Sequence, residues 1–435
     1  MIWLHFFIVL VFIFLGTRLG GIGIGFAGGL GVVVLALFGL APGSIPFDVI
    51  SIIMAVIMAI SAMQVAGGMD FLVRWAENLL RKHPKYITYL APTVGYFMTL
   101  CAGTGHTAFS ILPVIAEVAK EQGVRPSRPL SITTIASQIA ITASPISAAV
   151  VYLAGELEKN FGIGYLQLLA IWIPTTFVAC MITAFICNFL GKELKDDPEY
   201  QRRLSEGLIK LRGQTQIEIK PYAKRSVGIF LLTVIIVMFY ATLISKTVGL
   251  IEHPVLPRNE AIISFMLAAA AVIVVFCKVD VDQITSAATF KSGMSASICV
   301  MGVAWLGNTF VGGHIEEIKQ ASSTLLNDYP WMLAVVLFFA STLLYSQAAT
   351  AKALYPAAIA LGVSPLSAIA AFAAVSALFV LPTYPTLLAA VEMDDTGSTR
   401  IGKFVFNHSF ILPGLIAIVL SVGLGFLWGG IVLSI

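Results

Sequence analysis

Long apolar segments of this chain are interrupted near their centres by short polar stretches that contain proline or glycine. The clearest pair is Thr342-Leu-Leu-Tyr-Ser-Gln-Ala-Ala-Thr-Ala-Lys352 and Leu381-Pro-Thr-Tyr-Pro-Thr386. Polar groups are costly inside a bilayer unless they are bonded or do chemical work. The interruptions therefore predict a membrane fold with broken helices around a binding site, and they constrain the architecture more than any other feature.

Composition agrees with a membrane protein. Hydrophobic residues make up 58% of the chain and charged residues 11%, with a mean hydropathy of +0.93. A soluble domain carries about 25% charged residues. The runs are apolar on all sides, which predicts an all-α polytopic membrane protein rather than a β-barrel. The formal net charge of +3 is too small to indicate nucleic-acid binding.

The apolar runs predict about ten transmembrane helices and two re-entrant hairpins. The hairpins are expected at about 86–119 and 331–361, because each is broken at its centre into arms shorter than the roughly 20 residues that a span needs. The spans are expected at about 2–15, 21–41, 47–68, 130–153, 164–190, 226–249, 261–277, 292–311, 366–391 and 404–432.

The loop charges predict an orientation. The loops at 69–85, 120–128 and 191–225 are basic, whereas those at 154–163 and 312–330 are acidic. With the basic loops in the cytoplasm, both termini face the periplasm. Residues 1–190 and 226–435 then each contain three spans, a hairpin and two spans in opposite orientation, joined by a cytoplasmic loop at 191–225. Two inverted repeats of this kind are typical of secondary transporters.

The hairpin tips and helix breaks hold the candidate substrate-binding residues. Glycines at the first tip would expose backbone N–H groups at a helix start, which suits an anion. Prolines free backbone groups in the spans that follow, and Lys352 supplies a positive charge. The candidates are Thr104, Gly105, His106, Thr107, Ser144, Pro145, Ser147, Ser346, Gln347, Thr350, Lys352, Thr383, Tyr384 and Thr386.

Each candidate also has a structural interpretation. Prolines and hydroxyls kink and cap membrane helices, and His106 is either a ligand or proton carrier, or a polar tip residue bonded to backbone. Lys352 would otherwise extend to the membrane surface or pair with an acid such as Glu117. The 191–225 loop is large enough for a regulatory protein, although its mixed charge is more typical of a solvated linker.

Several other functions are excluded by missing motifs. The sequence contains no Gly-x-x-x-x-Gly-Lys-Ser/Thr loop, so ATP does not drive the protein. The glycines at 20–31 lack the strand and acid of a dinucleotide fingerprint and predict close helix packing instead. No catalytic triad or metal-ligand set stands out, and the five cysteines show no metal spacing. We therefore expect no enzyme activity, no cofactor and no metal.

Several long strings resemble one known family, the anaerobic C4-dicarboxylate transporters of the bacterial Dcu A/B type. They are Arg18-Leu-Gly-Gly-Ile-Gly, Ile45-Pro-Phe-Asp-Val-Ile, Leu112-Pro-Val-Ile-Ala-Glu-Val-Ala-Lys, Ile139-Ala-Ile-Thr-Ala-Ser-Pro-Ile-Ser, Tyr345-Ser-Gln-Ala-Ala-Thr-Ala-Lys and Leu381-Pro-Thr-Tyr-Pro-Thr. The likeness covers nearly the whole chain and is closer to the A type. His106 departs from the asparagine that is usual at this tip.

The resemblance implies an inner-membrane carrier that exchanges fumarate, succinate, malate and aspartate. It also implies kinship with the ion transporter superfamily, whose members are homodimers with a scaffold domain and an elevator-type transport domain. We therefore expect a C4-dicarboxylate antiporter. The alternatives are a proton- or sodium-coupled symporter of an organic anion, a passive channel, and a transporter that doubles as a sensor with a regulatory partner.

Overall fold

The computed structural model of the chain is helical throughout the part that it describes. The described residues are 1–19, 22–209, 218–244, 250–251, 253–317, 329–382, 384–402 and 406–434, and among them there is no β-strand. Five described helices are long and apolar enough to cross a membrane, and α3 with α4 would make a sixth span as one bent pair. This confirms an all-helical membrane protein, while the count of ten spans stays a prediction.

The first part of the chain forms four helices. They are α1 (Ile2–Leu19), α2 (Gly23–Leu37), α3 (Phe47–Val65) and α4 (Gly68–Lys82). Gly67, with a φ of +85°, allows the chain to turn by 75° between α3 and α4. The sequence interpretation of 69–85 as a loop was wrong, because most of it is an amphipathic helix. Asp70 in its first turn and Arg81 in its last match the helix dipole.

Short helices follow at the two predicted hairpins and at the spans after them. In the first half they are α5 (Ile87–Ala102), α6 (Ala108–Glu121), α7 (Ser127–Ile139) and α8 (Ala148–Phe161), and α9 (Tyr165–Cys187) closes this half. The predicted arms and breaks agree with these bounds. The acidic segment predicted as a loop at 154–163 instead continues α8 up to Phe161, where Gly162, with a φ of +70°, ends the helix.

The rest of the chain, from the linking loop onwards, is also helical in its described residues. It contains α10 (Pro198–Ser205), α11 (Ala223–Leu243), α12 (Arg258–Cys277), α13 (Val281–Ser286) and α14 (Ala288–Gly313), followed by α15 (Met332–Leu344) and α16 (Gln347–Ala360) at the second hairpin. The broken segment is α17 (Pro365–Ala371), a 3-10 stretch (Phe372–Phe379) and α18 (Pro385–Met393), and α19 (Ile411–Ser434) ends the chain. A span broken by Pro382 and Pro385 was predicted at 366–391, and the structure has that break, although the regular α-helix already ends at Ala371.

The helices pack in two groups. The first, here called the α1–α4/α11–α14 group, packs through α2 against α14 and α3 against α12. The second, the hairpin group, contains α5–α9 and α15–α19, with α9 against α19 and α5 against α7. Between the groups, α4 lies against α6, α14 against α16, and α3 against α8. The hairpins and breaks therefore belong to one unit that borders the other through a few helices.

Glycines allow the backbones of α2 and α14 to contact each other directly. A Cβ built on Gly28 would lie 2.4 Å from the carbonyl carbon of Gly302, and one on Gly25 would lie 2.3 Å from the Ile298 oxygen. Side chains have no room at these positions, because the obstacle is backbone. The glycine-rich string of the sequence therefore serves helix packing, as predicted.

Ion pairs join the basic segments at one end of the molecule. Lys120 Nζ lies 2.9 Å from the Asp395 carboxylate, and Arg128 lies 2.9 Å from Glu193. Arg81 pairs with Glu121, and Arg125 pairs with Asp197. The three segments that the sequence predicts on the cytoplasmic side therefore share one face. Part of the 191–225 loop is bound to this face, whereas 210–217 lie outside the described residues.

Substitution at the α2–α14 contact gives a first prediction. Gly28→Ala is expected to destabilise the protein by about 1–3 kcal/mol, because its methyl group would overlap the Gly302 backbone. Gly29→Ala is the matched control, since a Cβ at Gly29 meets nothing within 4 Å. Thermal unfolding in detergent would measure both. Equal melting temperatures for the two variants would contradict the packing argument.

Candidate functional site

Four helices begin at the hairpin tips and helix breaks. They are α6 and α16, which follow the two tips, and α8 and α18, which follow the two breaks. Ser147 caps α8 by accepting from the Val150 N–H at 3.2 Å, and Ser346 caps α16 by accepting from the Ala349 N–H at 3.2 Å. No side chain caps α6 or α18. Helix starts carry partial positive charge, so both halves present the same polarity here.

The first tip is fixed by glycine geometry. Gly103 has a φ of +69°, and a Cβ there would lie 3.0 Å from the Ile146 side chain. A Cβ on Gly105 would lie 3.3 Å from the Ser137 carbonyl oxygen. Both positions therefore need glycine, the first for its left-handed backbone and the second for its close approach to α7. The tip lies directly on the first break.

The hydroxyls of the first half bind the tip and the break together. The Ser144 hydroxyl donates to the Leu100 carbonyl at 2.6 Å, and the Ser147 hydroxyl donates to the Ile141 carbonyl at 2.6 Å. Thr107 and Thr99 share a hydrogen bond of 2.9 Å. The carbonyl freed near Pro145 accepts from the Tyr165 hydroxyl. These predicted site residues meet at one place, and in this structure their hydroxyls satisfy neighbouring backbone.

The second tip has the corresponding arrangement. Thr350 donates to the Ser346 carbonyl at 2.7 Å, and Gln347 donates to the Gln138 carbonyl at 3.3 Å. Tyr345, with a φ of +52°, stacks on Tyr384 with ring centroids 6.4 Å apart. The second tip therefore contacts both its own break and the first half of the chain.

Gln138 joins the two halves, and the sequence analysis missed it. Its side chain is 1% exposed, and its Nε2 lies 3.3 Å from the Thr386 hydroxyl. Its backbone carbonyl accepts from the Ser376 hydroxyl at 3.3 Å, as well as from Gln347. Its Oε1 has no hydrogen-bond partner among the residues described. A lone amide inside the apolar run at 130–153 was the signal that could have identified it.

Lys352 pairs with an acid that the sequence analysis did not consider. Its ammonium bonds to the carboxylate of Asp48 at the start of α3, and it lies 5.9 Å from the centre of the Tyr152 ring. The suggested partner Glu117 instead lies 3.1 Å from Lys120. The structural interpretation of Lys352 as a member of an ion pair therefore agrees with the structure, but the acid is Asp48, since Glu117 pairs with Lys120 of its own helix.

The described candidate residues at the tips and breaks are neutral, apart from the cation Lys352. They supply hydroxyls, helix starts and the buried amide of Gln347, and Gln138 adds a second buried amide. Thr104 lies at the first tip, where its carbonyl accepts from Thr107 at 3.3 Å. Thr383 and the His106 side chain lie outside the described residues, and no group of three metal-ligating side chains occurs in the described part of the chain.

Comparison with known proteins identifies the family. The family model of the anaerobic C4-dicarboxylate membrane transporters, DcuA_DcuB, matches residues 1–433. The chain belongs to this family. A C4-dicarboxylate transporter DcuA of Wolinella succinogenes is 67% identical over 427 residues, and the DcuA of Escherichia coli K12 is 61% identical, each match covering 98% of both chains.

Two further comparisons concern a B-type relative and a solved structure from outside the family. An Escherichia coli DcuB is 38% identical over 432 residues and covers 97% of both chains, so the A-type relatives are the more similar ones. The YdaH transporter of Alcanivorax borkumensis has a TM-score of 0.56 at 14% identity, over 88% of this chain and 85% of that one. At this identity the likeness concerns the fold alone.

The role of Gln138 can be tested by replacing it with a residue of similar size. Gln138→Leu removes the side-chain amide that contacts Thr386 and is expected to reduce dicarboxylate uptake at least tenfold, because the start of α18 loses its polar contact with α7. Thr183→Val is the control, since the buried Thr183 bonds only to the Ala179 carbonyl of its own helix. Uptake into proteoliposomes at matched protein content would measure both, and normal uptake by Gln138→Leu would contradict the role.

Proposed function

We propose that this protein exchanges C4-dicarboxylates, among them fumarate, succinate, malate and aspartate, across the bacterial inner membrane. The relatives named above are C4-dicarboxylate transporters, and they match the whole chain. The observation that carries the proposal is the site itself. Four helix starts, which carry partial positive charge, lie among polar hydroxyls, and Lys352, which pairs with Asp48 in this structure, adds a cation in α16. A small dianion is the ligand that this arrangement fits.

Within the site, one carboxylate of the substrate binds to the start of α6 and to the hydroxyls near the first break. The other binds near the second tip, with Lys352 as its countercharge. The distribution over both halves suits a molecule with two charged ends. Thr104, Gly105, His106, Thr107, Ser144, Pro145, Ser147, Ser346, Gln347, Thr350, Thr383, Tyr384 and Thr386 complete the proposed site.

Exchange is favoured by the cost of moving net charge. An unbalanced dianion moved against a potential of about 100 mV costs on the order of 4.6 kcal/mol, at about 2.3 kcal/mol per charge. Swapping one dicarboxylate for another moves no net charge. The mechanism is alternating access, in which the hairpin group moves as a transport domain against the α1–α4/α11–α14 group as scaffold.

The proposal extends to topology and assembly. Residues 1–190 and 226–435 are inverted repeats, and both termini face the periplasm. The shared face of the basic segments supports this orientation, because positive loops remain in the cytoplasm. The chain acts as a homodimer in the inner membrane, as its resemblance to elevator-type carriers implies.

Transport assays test the exchange mechanism. Labelled aspartate and fumarate would be offered to proteoliposomes that are either empty or preloaded with unlabelled succinate, with and without sodium and proton gradients. Uptake is expected only in preloaded vesicles and without dependence on the gradients. Filling of empty vesicles that requires a cation gradient would identify a symporter instead, and filling without either would identify a channel.

The countercharge role of Lys352 gives a separate prediction. Lys352→Ala is expected to reduce dicarboxylate uptake more than tenfold without loss of folded protein, because the substrate loses its one cationic contact in the described site. Lys291→Ala, which removes an exposed lysine from α14, is the control. Near-normal affinity of Lys352→Ala, measured by competition with unlabelled succinate, would rule out this role.

A further inference from the structure

Three ion pairs cross between the two helix groups in the described part of the chain. Asp48 of α3 pairs with Lys352 of α16, Arg81 of α4 with Glu121 of α6, and Arg258 of α12 with Glu158 of α8. Each pair has one member in the α1–α4/α11–α14 group and the other in the hairpin group. Any sliding of one group against the other must break such contacts.

The Asp48–Lys352 pair differs from the other two because it includes a residue of the proposed substrate site. Lys352 lies in the second turn after the second tip, and its side chain is 19% exposed, whereas that of Asp48 is 38% exposed. The Tyr152 ring of α8 flanks the ammonium and shields it on the hairpin side. Asp48 also lies in the first turn of α3, where the helix dipole favours a carboxylate.

A dicarboxylate offers Lys352 the same chemical group that Asp48 offers. When a substrate carboxylate binds the ammonium, it neutralises the charge that attracts Asp48 and places a second negative charge beside that acid. Like charges repel most strongly where water is partly excluded. Substrate binding and the Asp48–Lys352 contact therefore oppose each other through one ammonium group.

We propose that Asp48 is a coupling residue that restrains the transport domain when no dicarboxylate is bound. In the unloaded carrier Asp48 holds Lys352 and thereby holds α16 to the scaffold helix α3. A substrate carboxylate takes the place of Asp48 and releases the hairpin group. Movement without cargo is suppressed in this way, which is the condition that strict exchange requires. This inference rests on the proposed exchange function and adds to it a residue outside the substrate site.

Removal of the Asp48 charge tests the proposal. Proteoliposomes loaded with labelled succinate would be diluted into buffer with and without external succinate, and the ratio of the two efflux rates measures coupling. Asp48→Asn is expected to accelerate efflux into plain buffer at least fivefold and to lower the ratio by the same factor. Its apparent KM for external succinate should fall at least twofold, because Asp48 no longer competes for Lys352. A purely structural defect would not lower KM.

Conservative and remote variants serve as controls. Asp48→Glu keeps the carboxylate and should keep the ratio within twofold of the unaltered protein. Asp282→Asn removes an exposed carboxylate from α13 and should leave both readouts unchanged. If Asp48→Asn does not yield folded protein, Asp48→Ser removes the same charge with a residue that helix starts accept, and the same efflux and KM changes are expected.

The outcomes separate this proposal from the proposed function. If the unaltered protein shows no stimulation of efflux by external succinate, the exchange function itself is wrong. If the unaltered protein exchanges and Asp48→Asn has the same ratio and KM, the coupling role of Asp48 is overturned while exchange stands. Loss of all exchange in folded Asp48→Asn would also overturn it, since Asp48 would then belong to the substrate site.

Discussion

The structure depends on satisfying backbone groups where helices stop inside an apolar fold. A break frees N–H and C=O groups that lipid cannot bond, and each would cost several kcal/mol if left alone. Here the hairpins supply the partners. Ser144 of the first break donates to the Leu100 carbonyl of the neighbouring hairpin arm. In the second half, Ser341 and Thr342 of α15 donate to the carbonyls of Ala374 and Ala377 at 3.1 Å each. Hairpin and break therefore stabilise each other in both halves.

This mutual dependence explains why the polar residues at the tips and breaks form hydrogen bonds within the protein and also hold the helix starts in position. Hydroxyls such as Ser147 donate to one backbone group and accept from another, which fixes the start of α8 in position. The helix starts are therefore preorganised, and a ligand that bound at them would need little further ordering of the protein. Gln138 adds a side-chain amide that contacts Thr386 of the other half, and its Oε1, which has no partner among the described residues, is an acceptor within a buried region.

Several ion pairs of the described residues lie where separate segments of the chain meet. Lys120, Arg125 and Arg128 and their acids join the segments of one face. Arg81–Glu121, Asp48–Lys352 and Glu158–Arg258 join the two helix groups. Partly buried pairs of this kind gain less stability than their Coulomb attraction suggests, because both charges lose water. Their positions across the interface indicate that they govern the relative placement of the two groups more than overall stability.

The sequence by itself determined the helical membrane class, the family, and the bounds of the hairpin arms. These features follow from local signals, since apolar runs fix helices and glycine or proline ends them within a few residues. Local periodicity could also have revealed α4, whose buried Val73, Ala76 and Leu80 recur at helical spacing. Only the tertiary structure decided that Lys352 pairs with Asp48, 304 residues away, and that Gln138 contacts Thr386, 248 residues away. Such partners depend on how whole helices pack, because the residues next to a charge or an amide in the sequence do not indicate which distant group it will contact.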